Sequence, residues 1–169
     1  MRNIVSLLSA AVLLGGCGTS NVARNEIMKQ YKQENERYSA MMKSEKMVCQ
    51  KDGESAVVLN ATYLPASKPH SGSERFIVGV YLSEDEDSAH FLEKLRLEGK
   101  APRQIVPVSE NSLKEKEMVF VVPWRDYFKV EFPPVKEERF DITLEDPLCE
   151  GEKMHFAKRP KYIFSKKAY

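Results

Sequence analysis

Apolar and polar residues alternate with period two along much of this chain. The clearest run is "RFIVGVYLS" (Arg75 to Ser83), where Phe76, Val78, Val80 and Leu82 fall on one face. Such alternation predicts a strand with a buried side. Gly79 inside it predicts a bulge or a close backbone approach. "SAVVLNATYL" (Ser55 to Leu64) is β-branched and alternates through Leu59, Ala61 and Tyr63. "KMVCQK" (Lys46 to Lys51) reads as a shorter strand before it. Later candidates are Gln104 to Val108, Met118 to Val122, Tyr127 to Phe132, Phe140 to Glu145 and Lys153 to Ala157, several separated by Pro- or Gly-containing pairs. Many short strands with turn signals predict a mainly β chain, a β-sandwich that is loosely immunoglobulin-like.

Two segments depart from this texture. Residues 25–45 lack Gly and Pro and are rich in good helix formers. Ile27, Tyr31, Tyr38, Met41 and Met42 recur near helical spacing, which predicts an N-terminal amphipathic helix with a thin apolar stripe. "SAHFLEKLRLEGKAP" (Ser88 to Pro102) reads two ways. It fits a short helix N-capped by Ser88 and stopped at Gly99. It also fits a strand turning at Glu98-Gly99-Lys100 into "RQIVPV". The strand is preferred, because its neighbours are strands and a hairpin is the shorter connection.

The front of the chain has a different logic. Arg2 precedes an apolar run, Ile4 to Leu14, too short to span a bilayer, which takes about 20 apolar residues. It fits the apolar region of a secretory signal, roughly 7–15 residues long. Leu14-Gly15-Gly16-Cys17 then resembles the lipobox of bacterial lipoproteins: an aliphatic residue, two small residues and a cysteine. The resemblance covers this segment alone and leaves the family of the following domain open. It implies a diacylglyceryl thioether on Cys17, cleavage before it, and a stable anchor, since each buried methylene contributes about 0.8 kcal/mol. Gly18, not Asp, follows the cysteine; by the sorting pattern of such proteins this favours the outer over the inner membrane.

That reading orders the rest of the chain. Residues 1–16 are a signal peptide, 17–24 a lipidated tether, 25–45 a helical spacer, 46–158 the sandwich and 159–169 a basic tail. Cleavage removes 16 of the 169 residues and one of the 26 Lys/Arg, leaving positive charges equal to the 25 Asp/Glu. A neutral domain argues against nucleic acid as a partner. The membrane, through Cys17, and other envelope proteins are the expected partners. With Cys17 lipidated, Cys49 and Cys149 remain, and an oxidising compartment predicts that they pair.

Chemistry is sparse. His70, His90 and His155 are scattered, and no HExxH, GxSxG, P-loop or GxGxxG occurs. No catalytic residue, cofactor or metal site is predicted. The acidic "SEDEDS" (Ser83 to Ser88) lacks the spacing of an EF-hand loop. From Lys153 onward six Lys/Arg occur with no Asp or Glu, which reads as a solvated basic tail. "PWRDYF" holds the one tryptophan, and Trp124, Arg125 and Tyr127 are the candidate ligand contacts. The expectation is a non-catalytic envelope lipoprotein with a structural, assembly or binding role. The alternatives are a glycan- or peptide-binding lipoprotein using the Trp124 region and an envelope hydrolase.

Overall fold

The computed structural model describes residues 19–65, 72–113, 117, 121 and 125–158, with side chains from residue 25 onward. Cys17, His70, Trp124, the basic tail and most of the expected strand Met118 to Val122 lie outside these residues. The chain divides into two compact units, one through Asn35 and one from Glu36.

Helix α1 spans Thr19–Met41. It therefore begins within the stretch read as a tether and ends before Glu45. Its Ile27, Met28 and Tyr31 are all about 60 % exposed, with values of 63, 59 and 62 %. The early stop has a physical cause. Ser44 onward is drawn into sheet pairing, with Ser44 opposite Thr62 and the Tyr63 amide donating to Lys43 O. Ser44 Oγ closes the corner, donating to Ala40 O at 2.8 Å.

The second unit is a sandwich of two antiparallel sheets. The first sheet has the order β1-β2-β3-β6-β5, from Ser44–Lys51, Glu54–Leu64, Glu74–Leu82, Asp126–Phe132 and Gln104–Pro107. The second has the order β4-β7-β8, from Leu95–Leu97, Arg139–Leu144 and Lys153–Ala157. The period-two positions form the core as expected. Leu59, Ala61, Phe76, Val78, Val80, Val130 and Phe132 point inward from the first sheet and meet Leu95, Leu97, Ile142 and Met154. Phe76 is the hub of an aromatic cluster, with ring centroids 5.3 Å from Tyr63, 5.7 Å from Phe132 and 5.1 Å from Phe156. The pairs with Phe132 and Phe156 are edge-on, and such pairs add about 0.5–1.5 kcal/mol each beyond area burial.

Gly79 sits in unbroken register between Asn60 and Tyr127, so no bulge forms there. The close approach comes from a side chain: a Cβ at Gly79 would lie 2.8 Å from Tyr127 Cε1.

The ambiguous segment divides, which corrects the preferred strand reading. Helix α2 takes Ser88–Leu92, and β4 only Leu95–Leu97. The cap is Asp87, not Ser88; its side chain accepts from the Ala89 amide. Phe91 and Leu92 face the core, and their burial holds one turn of helix where the local pattern was also compatible with a strand. The turn at Glu98-Gly99 exists, with φ of 47° and 74°. It does not lead into a β4–β5 hairpin, because β5 crosses to pair with β6 while β4 pairs with β7.

Cys49 and Cys149 are bonded, with Cα atoms 5.1 Å apart and a sequence separation of 100. The bridge ties β1, at the edge of one sheet, to the 3₁₀ turn Pro147–Cys149 that precedes β8 in the other.

Candidate functional site

Three chain reversals meet at the disulfide end of the sandwich. The first is the β1–β2 hairpin, closed by Asp52 and Gly53, both at positive φ. An Asp-Gly pair supplies this geometry at low cost, since two-residue hairpins need φ above zero at both positions. The second is the acidic stretch after β3. There Ser83 N still donates to Ala56 O at 2.8 Å, and Asp87 starts α2. The third is Asp146-Pro147-Leu148. Its Asp146 Oδ1 accepts from the Leu148 amide at 3.0 Å, and proline stands where a helix needs no N–H.

Lysines tie the three together. Lys94 Nζ bonds Glu86 Oε1 at 3.1 Å and Asp146 Oδ2 at 3.2 Å, and lies 4.7 Å above the Phe91 ring. Burial alone would lower the Lys94 pKa; the bonds and charges of Glu86 and Asp146 outweigh it and raise it. Lys51 Nζ meets Glu84 Oε1 at 2.6 Å, which raises the lysine and lowers the carboxylate. This second pair is exposed, so its worth to stability is small.

Between these turns lies a cleft of about 290 Å³. Ala56, Val57, Leu82, Phe91 and Leu148 give it apolar walls, and Lys51, Glu84, Glu86 and Asp146 line its mouth. Leu82 and Leu148 are only partly buried, so apolar surface remains open to solvent within a charged rim. The lining thus combines an apolar floor with charged side chains.

Of the expected contact residues, Trp124 lies outside the described residues, and Arg125 and Tyr127 do not line this cleft. Tyr127 is 3 % exposed, packs with Ile77 and covers Gly79, so its ring serves the outer layer of the first sheet. Arg125 is half-buried beside Asn60, whose amide, turned over, accepts through its oxygen from Nη1. His155 Nδ1 bonds Asp141 Oδ1 at 2.7 Å on exposed strand surface, and His90 pairs with Glu93. Neither histidine lines the cleft. Among the described residues, no three His, Cys, Asp or Glu converge as a metal site.

At the opposite end of β2, Glu74 is buried but fully engaged. It accepts from Tyr63 Oη at 2.7 Å and from the Val135 amide at 3.3 Å, and pairs with Lys158 Nζ at 3.3 Å. Lys158 also donates to Val135 O. This is a latch between β2, β3, the loop after β6 and the exit of β8.

The Asp-Gly hairpin and the Asp-Pro turn were readable signals for two walls of the cleft. Their convergence was not readable, because it depends on pairing between distant strands. The chain matches no protein family, no curated protein and no solved structure with which it was compared.

Proposed function

We propose that this chain is a lipid-anchored cell-envelope protein whose sandwich is a non-catalytic binding or assembly module. The observation that carries the reading is Leu14-Gly15-Gly16-Cys17 directly after a short apolar run. A thiolate is the nucleophile that lipid transfer requires, and the two glycines leave the backbone open to a peptidase. The cystine between residues 49 and 149 supports an exported chain, since structural disulfides persist in oxidising compartments. The binding side of the reading is supported by the open apolar cleft with its charged rim.

The test is metabolic labelling with palmitate in the bacterial host. The wild-type chain takes up label and loses its first 16 residues; Cys17→Ser does neither. Equal labelling of the two proteins refutes the anchor. Placement in the outer membrane follows from Gly18 after the cysteine, and sucrose-gradient separation of the two membranes checks it.

A further inference from the structure

We infer that the cleft at the disulfide end is a docking site for a basic segment of a partner protein, one that inserts an apolar side chain between flanking lysines or arginines. The inference rests on the binding-module reading above and is independent of the anchor.

Volume and lining select the inserted group. The cleft holds about 290 Å³, at the lower bound for sites that enclose a whole small molecule. It suits one or two side chains. Its walls are hydrocarbon and aromatic, and the partly buried Leu82 and Leu148 leave apolar area for an occupant to cover.

Charge selects what surrounds that group. Glu84 and Glu86 of the acidic loop line the cleft, and Asp146 lines it from the third turn. Among the described residues, two lysines pair with these three carboxylates. Lys51 is engaged by Glu84, and Lys94 is shared between Glu86 and Asp146. A net negative rim remains around an apolar floor. An acidic partner meets repulsion there, while a basic one is both steered and held.

The walls are also preorganised. Leu148 stands beside Cys149, which the cystine fixes to β1, and Phe91 belongs to a helical turn capped by Asp87. A site whose walls are fixed before binding loses little freedom on docking.

The test uses the full chain in neutral detergent micelles and three fluorescent probe peptides. One has a central phenylalanine flanked by lysines. The second replaces the lysines with glutamates, and the third replaces the phenylalanine with glycine. Anisotropy is expected to give the lysine–phenylalanine peptide an affinity at least about tenfold above the other two. Glu84→Gln with Glu86→Gln alters exposed side chains and keeps the fold, which circular dichroism verifies. It is expected to weaken that peptide about tenfold. Hydrogen exchange is expected to show protection over residues 82–91 and 146–149.

Equal binding of all three peptides, or no effect of the double variant, overturns the inference. So does the absence of binding up to about 1 mM. Protection on another face overturns the cleft assignment while the binding-module reading stands. Self-association that the peptide reverses, seen by light scattering, overturns the partner assignment in favour of a second copy. Palmitate labelling of Cys17 reports on the anchor separately from all of these outcomes.

Discussion

The Tyr63 hydroxyl donates to Glu74 Oε2 across 2.7 Å inside the sandwich. Burial first, and then the bond to Glu74 and the charge of that carboxylate, raise the Tyr63 pKa above its ordinary value of 10.0. The folded protein therefore disfavours the phenolate. The stability gained is fully present below the unfolded-state pKa, about 10, and is lost as pH rises toward the higher folded value.

Tyr63→Phe removes a donor from a buried carboxylate and is expected to cost about 1–3 kcal/mol at pH 7. Above about pH 10 the wild type loses its advantage while the variant has no such group to titrate. Urea unfolding at pH 7 and at pH 10.5 is expected to show the gap narrowing. A gap that stays constant, or widens, contradicts the account.

The cystine closes a loop of 100 residues. The chain-entropy model assigns about 4.7 kcal/mol to such a loop, and native bridges commonly give about 2–4. Cys49→Ala with Cys149→Ala is expected to lose about 2–4 kcal/mol and to become insensitive to dithiothreitol. Wild-type protein is expected to lose a similar amount on reduction. Two free thiols in protein purified without reductant would contradict the staple.

Gly79 and Tyr127 form a matched pair across β3 and β6. An alanine methyl at 79 would meet the Tyr127 ring at 2.8 Å, so ring or strand must shift. Gly79→Ala is expected to destabilise by about 1–3 kcal/mol. Tyr127→Ala leaves a hole over the same spot. Because the methyl of Gly79→Ala partly fills it, the double variant is expected to fall short of the sum of the singles by more than about 0.5 kcal/mol. Strict additivity in denaturant melts would show that the two side chains do not compete for one space.

The first turn of α2 separates two candidate caps. Asp87 accepts from the Ala89 amide at 2.9 Å, whereas Ser88 Oγ donates to Asp126 Oδ2 at 2.7 Å. Asp87→Ala is expected to cost about 1 kcal/mol. Ser88→Ala removes an exposed side-chain bond and is expected to cost less. The reverse order of midpoints in thermal unfolding would place the cap on Ser88.

Several elements are legible in the sequence because they depend on local periodicity. Phe76, Val78, Val80 and Leu82 share a face in any strand they form, and two cysteines left to pair have one connectivity. The helix at 25–41 follows equally from composition, though its end does not. Ser44 joins the sheet because Thr62 lies opposite it, and Thr62 is 18 residues away.

The chain itself thus determined most of its strands, its N-terminal helix and its staple. Tertiary structure alone decided the partners. Residues 104–107 abandon the nearby β4 for β6, because a three-residue β4 offers little pairing and β6 presents a longer free edge. Residues 88–92 become helical because Phe91 and Leu92 have a core to enter. The cleft draws on residues 51–57, 82–91 and 146–148, brought together by strand pairing and the cystine. Periodicity is a property of neighbours along the chain, whereas pairing and convergence are set by which distant surfaces exclude water from one another.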